Sequence, residues 1–557
     1  MTVLNRDQIE LRLIKRVEDF ERGYRQNVAI LGRSGVGKTK LISKIIDHVR
    51  SRATLLPVSL SIGEVAPPHL ISYWIRGLIL SALSISDGSL ESLLESAEET
   101  LPKTCKAARH ILKLNKQGNA ALAVRELFAL VGQLAEETGR KVVLFMDELL
   151  ALEKLGIHDV YSIFGNRLMM EKEALFVVTS SSPRRARKIF SEKLSLLFSN
   201  FENLDIQPLG FREMNLAIDA RACGSYLSVP ARRFLFRMTD GEPRYLEALL
   251  RNLDESVCSD PRRQIGVALL FETVIREVLE ADGRIAMDFQ KRVASFRRSS
   301  RERDSLIAEV CAALGAGKIR PGSLASLLGL KLPEIKKLIA RMEEEDWLVS
   351  GGTSYGLRDG LFRFWAAEYL APACSGQLAD EKIRRGRWTR RLGEIYETCF
   401  ESDTGKIAAR LEALLKLFRS ESIVMDGRKI AGAHFQEVSV SAFSELQAII
   451  RAQTSKEQRF FLTSVDEIHD YDVEKFLQST ASRKKPTKRV LVAAGGIEQN
   501  AKLFAQQNRM EIWDLRFFNQ LLDFYGLPKV IIEKRGSVWE GEPSWIGTQS
   551  LFSHVKG

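Results

Sequence analysis

The chain has 557 residues, of which 45% are hydrophobic and 27% are charged, so it is too long for one hydrophobic core and too apolar to be wholly disordered. No apolar run reaches the roughly 18–20 uncharged residues of a membrane span, and the opening segment Met1–Glu10 is polar and charged, so we expect a cytoplasmic protein. The 82 lysines and arginines outnumber the 71 acids, and the net charge of +11 favours polyanionic partners such as DNA.

The first half of the chain predicts an α/β core. Between Asn5 and Leu270, short β-branched runs alternate with longer amphipathic stretches, the pattern of a parallel sheet covered by helices. A stretch rich in Leu, Ala and Glu predicts a helical insert, Leu70 to Glu137, between the second and third strands. The predicted strands are Val28–Leu31, Leu55–Leu60, Val142–Met146, Leu175–Thr179 and a weaker one at Leu204–Ile206.

The middle of the chain predicts a winged helix-turn-helix. Three helical segments with short turns precede two short strands that are joined by a glycine turn. The third helix exposes Lys336, Lys337 and Arg341 at spacings that suit a DNA major groove, whereas the acids Glu343–Glu345 at its end would repel phosphates, so DNA contact here stays open. The predicted helices are Asp304–Gly315, Ser323–Gly329 and Pro333–Glu345, and the strands are Trp347–Val349 and Tyr355–Leu357.

The last third of the chain predicts a separate α/β domain. A basic stretch, Lys382–Arg391, indicates a domain junction, and mixed strands and helices follow from Leu392 onward. The predicted strands are Phe435–Val440, Arg459–Thr463, Arg489–Ala493 and Met510–Trp513, and the predicted helices are Ala408–Phe418, Asp472–Gln478 and Ile497–Gln507.

A complete phosphate-binding loop follows the first predicted strand. The segment Gly32–Thr39 fits the pattern GxxxxGK[ST] and lies between that strand and a predicted helix, Lys40–Arg50. Glycines at these spacings let backbone N–H groups turn toward phosphates, the lysine reaches the β- and γ-phosphate oxygens, and the threonine hydroxyl ligates Mg²⁺. The sequence therefore predicts an ATP- and Mg²⁺-binding loop formed by Gly32, Arg33, Ser34, Gly35, Val36, Gly37, Lys38, Thr39 and Lys40.

Two carboxylates end the third predicted strand. A neighbouring position in the sheet would bring Asp147 and Glu148 beneath the γ-phosphate. Asp147 is then predicted to hold the water shell of Mg²⁺, and Glu148 to act as the base for the attacking water, which implies hydrolysis as well as binding. The alternative is that Glu148 only begins the next helix as a favourable N-terminal acid.

The fourth predicted strand ends in three serines that are followed by arginines. A hydroxyl at the tip of this strand can orient the lytic water, and we predict this sensor role for Ser180 or Ser181; an N-cap role suits the same serines equally well. Arg184, Arg185 and Arg187 offer positive charge to the γ-phosphate of a neighbouring subunit, although a solvated basic loop is the simpler interpretation.

Several motifs in a fixed order resemble the prokaryotic archaeal-type ATPases of the STAND and Orc-type branch of the AAA+ P-loop superfamily. They are the opening Asn5–Leu11, the two phosphate-site motifs, Gly241-Glu-Pro-Arg-Tyr-Leu246, and an ending at Phe362-Arg-Phe-Trp365. The resemblance spans about Asn5 to Trp365. It implies a P-loop core at 1–210, a helical lid at 211–296 and a winged helix at 297–380.

The same resemblance assigns roles to three further sites. It implies that Arg6 lies near the adenine side, that the lid begins at Gly241–Pro243, and that Arg244 is a candidate second sensor. The simpler interpretation of Gly-Glu-Pro-Arg is a helix N-terminus with proline in its first turn, and both can hold.

The region 381–557 resembles the restriction-endonuclease-like domain that follows the winged helix in many of these ATPases. The segments Gly393–Glu397 and Met510–Asp514 look like its first helix and its last core strand. Such a nuclease site needs an acid and then an acid-x-lysine on the next strand. The best match is Asp426 followed by Glu437-Val438-Ser439, where serine replaces the lysine.

The sequence therefore predicts a domain without nuclease activity, although Lys429 lies only a loop away from the missing position. ATP and Mg²⁺ are the implied cofactors, and six scattered cysteines without a CxxC pair indicate neither zinc nor disulfides.

We expect an ATP-hydrolysing molecular switch whose nucleotide state controls the winged-helix and C-terminal modules and which acts on DNA. The basic stretches 297–303, 382–391 and 483–489 favour the DNA partner. The alternatives are a STAND-type signalling or defence ATPase that recognises a protein, and an ATP-gated nuclease; a homo-oligomer also remains open.

Overall fold

The computed structural model of the protein describes residues 5–64, 69–192, 201–259, 265–297, 305–376, 380–400, 406–425, 428–481 and 486–533. The chain divides into two compact units, Met1–Gly393 and Glu394–Gly557. Asp426, one of the predicted nuclease acids, lies outside the described residues.

A five-stranded parallel sheet forms the centre of the first unit. Its strands are β1 (Asn27–Leu31), β2 (Leu55–Ser61), β3 (Lys141–Asp147), β4 (Ala174–Ser180) and β5 (Phe201–Asp205). Their order is β2-β3-β4-β1-β5, and every neighbouring pair is parallel. β1 and β4 are buried at every position, as expected for strands covered on both faces. The predicted parallel-sheet core is confirmed.

Helices cover this sheet and build the predicted insert. Trp74 in the insert is 1% exposed and meets Phe128 edge-on with ring centroids 5.2 Å apart, so it packs in the core. Among the described residues no helix is long and apolar enough to cross a membrane. The helices are α1 (Asn5–Glu21), α2 (Lys38–Arg50), α3 (Leu70–Leu83), α4 (Leu90–Ser96), α5 (Pro102–Lys116), α6 (Ala120–Thr138), α7 (Val160–Met170) and α8 (Pro183–Glu192).

A set of helices follows the sheet, where the lid was predicted. Gly241 precedes one of them with φ +69°, and a Cβ built on it would lie 1.9 Å from the carbonyl oxygen of Leu209, so only glycine fits. The helices are α9 (Phe211–Asp219), α10 (Val229–Thr239), α11 (Pro243–Ser259), α12 (Val267–Val274) and α13 (Arg284–Arg297).

Three helices and a β-hairpin come next, in the order predicted for the winged helix. We call residues 306–365 the helix–hairpin module. They comprise α14 (Leu306–Gly315), α15 (Pro321–Leu328), α16 (Leu332–Glu344), the antiparallel strands β6 (Leu348–Gly351) and β7 (Ser354–Leu357), and α17 (Gly360–Trp365). The short helix α18 (Ala371–Cys374) and the long helix α19 (Glu381–Glu397) follow.

The second unit holds a mixed sheet, which confirms the predicted second α/β region. Its strands run in the order β10-β11-β12-β13-β14; the first three are antiparallel, and the last three are parallel. Prediction missed β11, α23 and the antiparallel hairpin of β8 with β9. The elements are β8 (Ser422–Met425), β9 (Arg428–Ala431), β10 (Glu437–Ser444), β11 (Gln447–Gln453), β12 (Gln458–Ser464), β13 (Thr487–Ala493), β14 (Glu511–Asp514), α20 (Ile407–Leu417), α21 (Asp470–Ser479), α22 (Gln499–Gln507) and α23 (Leu515–Phe524).

Candidate nucleotide-binding site

The predicted phosphate loop connects β1 to α2. Gly35 and Gly37 take positive φ angles of +86° and +97°, which side-chain-bearing residues rarely adopt, and α2 begins directly after Gly37 at Lys38. A Cβ on Gly32 would lie 2.9 Å from the carbonyl oxygen of Ile206. Glycines are therefore required by the backbone of this loop, and the N-terminus of α2 faces the space that the loop encloses.

Lys38 is the charged group of this loop. Its side chain is 5% exposed, and Nζ donates to the carbonyl oxygens of Gly32 at 2.9 Å and Arg33 at 3.1 Å and to Oγ of Ser181 at 2.7 Å. Burial lowers the pKa of Lys38 because an ammonium loses hydration, and nearby Glu148 partly opposes this shift. Lys38 is thus held inside the loop, with Glu148 Oε1 3.9 Å away.

Thr39 and Asp147 come together across the sheet edge. Oγ1 of Thr39 donates to Oδ2 of Asp147 at 3.2 Å. A hydroxyl and a carboxylate side by side provide oxygen donors of the kind that Mg²⁺ prefers, so these two residues fit the predicted metal role.

Thr179, at the end of β4, ties the two acids together. Its hydroxyl donates to Oδ1 of Asp147 and accepts the backbone N–H of Glu148 at 3.0 Å. Thr179 is fully buried. Prediction overlooked this residue in favour of the serines that follow it.

Glu148 adopts a strained backbone and turns its carboxylate toward the loop. Its φ and ψ are 60° and 62°, a left-handed conformation that costs free energy in a residue with a side chain. The carboxylate accepts from the backbone N–H of Ser181 at 3.0 Å and from the Ser181 hydroxyl. It makes no capping bond to the 3₁₀ helix Leu149–Leu155 that follows, so its side chain does not serve as a helix cap.

Of the two predicted sensor serines, Ser181 is the one whose hydroxyl bonds Lys38 and Glu148, whereas Ser180 meets the loop through its backbone carbonyl, which accepts the N–H of Gly32. Ser180 is buried, and its hydroxyl bonds within its own turn, donating to Ser182 O at 3.5 Å and accepting from Ser182 N at 3.2 Å. Of the two candidates, we therefore propose Ser181 for the sensor role. Ser180 is the last residue of β4 and Ser181 lies just beyond it, so the two adjacent serines have different surroundings.

Arg6 and Arg244 both approach the loop from outside the sheet. A Cβ built on Gly35 would lie 2.9 Å from Cβ of Arg244, whereas the Arg244 guanidinium pairs with Asp288 of α13. Arg6 donates to the carbonyl oxygen of Val36, and burial lowers the pKa of Arg6. Arg244 therefore covers the loop with its aliphatic stem and directs its charge at Asp288.

The arginines after the serines lie on α8 and pair with acids, so they do not form a solvated loop. Arg187 Nη2 lies 2.5 Å from Asp205 Oδ1. Arg184 and Arg185 instead reach acids at the end of α16.

Several of the predicted DNA contacts are also engaged within the first unit. Arg341 stacks on Phe296 with its guanidinium carbon 3.9 Å from the ring centroid, so it does not extend along the exposed face with Lys336 and Lys337. In the second basic stretch, Arg385 pairs with two glutamates and Arg387 with one. From the sequence alone, these arginines count as positive charge available to DNA. Their partners lie far away in the sequence, so only the tertiary structure reveals the pairing.

The predicted nuclease residues of the second unit do not converge among the described positions. Glu437 is exposed at the start of the edge strand β10, and Ser439 lies opposite Arg451 on β11. Lys429 is exposed on β9. Within the described parts of the chain, no group of three or more His, Cys, Asp or Glu side chains is placed to hold a metal ion.

No family model matches the sequence, and no curated protein matches it. Among solved structures, the chain is similar to a Walker-type ATPase of Pyrococcus abyssi at 14% identity, covering 64% of this chain and 94% of that one with a TM-score of 0.43. It is also similar to the ORC2 protein of Aeropyrum pernix in ADPNP–ADP complexes at 14% identity, covering 68% and 96% with a TM-score of 0.42. TM-scores this low do not establish a shared fold, so the fold assignment rests on the sheet order and the loop described above.

Proposed function

We propose that the chain is a Mg²⁺-dependent ATPase. The observation that carries this proposal is the convergence of Lys38, Thr39, Asp147 and Glu148 at one edge of a parallel sheet, with the loop glycines in the conformations that phosphate binding requires. Lys38 and Thr39 begin α2, the helix that follows β1 and the loop. Asp147 ends β3, Glu148 follows it, and Ser181 joins them just beyond the end of β4.

In this proposal each side chain has a defined task. The backbone N–H groups of the loop and the Lys38 ammonium bind and orient the β- and γ-phosphates. Mg²⁺, held through Thr39 and Asp147, would neutralise charge on the phosphate oxygens. Glu148 accepts a proton from the attacking water, and the Ser181 hydroxyl between Glu148 and Lys38 orients that water.

Binding of a fluorescent ATP analogue to the whole chain tests the proposal. Lys38→Ala should abolish binding, because the loop loses its only buried ammonium. Lys44→Ala is the matched control: Lys44 lies on the same helix α2, is 57% exposed, and pairs with Glu10 outside the loop. Unchanged affinity in Lys38→Ala would refute the assignment of this loop.

We further propose that the protein binds DNA through the helix–hairpin module and that the bound nucleotide controls this binding. The supporting observations are the net charge of +11 and the exposed Lys336 and Lys337 on α16. Duplex binding titrated against salt should show a steep slope that Lys336→Glu/Lys337→Glu reduces by about 2, one for each phosphate that a lysine no longer neutralises. Absence of duplex binding with ATP would favour the signalling alternative, in which a protein is recognised.

A further inference from the structure

An acidic run closes α16 and meets the basic helix α8. Arg185 Nη1 lies 3.1 Å from Glu345 Oε1, and Arg184 Nε lies 3.5 Å from Asp346 Oδ1. Longer pairs at 4.0 Å join Arg184 to Glu343 and Lys188 to Glu344. Each of the four acids at positions 343–346, which would repel DNA phosphates, thus has a cationic partner on α8.

Asp346 anchors this set of ion pairs. Its side chain is 8% exposed, and its φ is +59°, a left-handed conformation. The carboxylate accepts the backbone N–H of Arg184 at 3.3 Å and lies 3.8 Å from Nη2 of Arg358. A carboxylate buried to this degree requires such partners, because an unpaired buried charge is strongly unfavourable.

Two of the chain segments that leave the candidate nucleotide site lead to these ion pairs. Ser181 contacts Lys38 and Glu148, and Arg184 follows it on α8. Glu148 is followed by the 3₁₀ helix Leu149–Leu155, whose Glu153 pairs with Arg185. A shift of Ser181 or Glu148 would therefore move the groups that hold the end of α16.

The helix–hairpin module is attached to α11 and α13 in a different way. Phe289 of α13 packs on Phe362 and Trp365 with ring centroids 5.1 and 5.6 Å away, and Tyr245 of α11 donates to Asp359 at 2.6 Å. These rings are buried. Buried aromatic contacts are insensitive to salt. The more exposed Arg185–Glu345 and Lys188–Glu344 pairs are weak individually and are screened by salt, whereas the more buried Arg184–Asp346 pair is screened less.

We propose that the ion pairs between α8 and residues 343–346 form a salt-sensitive latch. The module stays attached to α11 and α13, while the latch opens or closes its contact with α8 according to what Ser181 and Glu148 bind. The coupling to nucleotide rests on the proposed ATPase function; the latch itself does not.

Hydrogen exchange of the full chain, followed by mass spectrometry, tests the latch without nucleotide. Arg185→Gln and Glu345→Gln should each raise the exchange rate of amides in residues 341–347 by about two- to fivefold at low salt, because each removes the Arg185–Glu345 pair; Arg185→Gln also removes the pair with Glu153. The double variant should exchange no faster than the faster single variant, since both remove the same pair. Raising the salt concentration should speed wild-type exchange toward the variants.

Arg187→Gln is the matched control, because Arg187 lies on the same helix but pairs with Asp205 and not with α16. It should leave exchange in residues 341–347 unchanged. The latch is overturned if Arg185→Gln has no more effect than Arg187→Gln, or if the effects of Arg185→Gln and Glu345→Gln add in the double variant.

A second arm adds a non-hydrolysable ATP analogue. The analogue should change exchange in residues 341–347 of the wild type and have no effect in Arg185→Gln. If the analogue binds but exchange stays the same in the wild type, the coupling is overturned while the ATPase proposal stands. If the analogue does not bind, the ATPase proposal and the coupling fail together, and the salt and variant results alone decide the latch.

Discussion

The two units carry two predicted carboxylate sites, and only one of them assembles among the described residues. In the first unit, the adjacent acids Asp147 and Glu148 meet Thr39 and Lys38, which lie more than a hundred residues earlier in the sequence. In the second, Glu437 stands exposed at the edge of its sheet. In the first unit, the acids of the motif form a site because the strand order brings their carboxylates to one place.

The strand order explains the first case. β4 lies between β3 and β1, and all three are parallel, so their carboxyl ends meet at the same edge. In the second unit, β10 is the edge strand and pairs antiparallel with β11, which places the start of β10 beside the end of β11. We therefore expect substitutions at the first site to change ATP turnover strongly, and a substitution at the second site to leave DNA nicking unchanged.

The largest of these effects is expected at Glu148. Glu148→Gln keeps the shape of the side chain but removes the base, so ATP should stay bound while turnover falls by about 10²–10⁴-fold. Single-turnover hydrolysis beside equilibrium binding measures both quantities. Turnover at the wild-type rate would mean that another group acts as the base.

A smaller effect is expected at Thr179, a positioning residue that bonds Asp147 and the backbone of Glu148. Thr179→Val should lower kcat by about 10- to 100-fold with little change in KM, since valine can neither donate to the Asp147 carboxylate nor accept the backbone N–H of Glu148. Thr179→Ser, which keeps the hydroxyl, should restore most of the rate. If Thr179→Ser is as slow as Thr179→Val, the hydroxyl is not what positions the acids.

No effect is expected at Glu437. With Mg²⁺ or Mn²⁺, neither the wild type nor Glu437→Ala should nick duplex or single-stranded DNA, because Ser439 is neutral and cannot stabilise charge on a phosphate as a lysine would. Nicking by the wild type that disappears in Glu437→Ala would show that the second unit is a nuclease and would contradict the expected lack of activity there.

The sequence predicted the elements that repeat a simple pattern. The buried strands β1, β3 and β4 are continuous apolar runs, and the phosphate loop has fixed spacing, so both were found close to their observed bounds. The strand β11 was missed because its apolar residues are interrupted by the exposed Arg451 and flanked by half-buried glutamines. Bonds between distant segments were beyond prediction, and Thr179 and the latch of α8 with α16 both depend on such bonds.

The interpretation of Arg341 shows the same limit. Helical spacing put it on the face of Lys336 and Lys337, yet its long side chain folds onto Phe296, which spacing along one helix cannot reveal. The choice between Ser180 and Ser181 likewise required knowing which way the chain turns after β4.

Release of phosphate from ATP by the purified full-length chain tests the central claim most directly. The wild type should release phosphate at a rate that saturates with ATP and requires Mg²⁺, and Lys38→Ala prepared in parallel should release none. A wild type that binds ATP without releasing phosphate, or equal release by the wild type and Lys38→Ala, would contradict the assignment of this site as an ATPase centre.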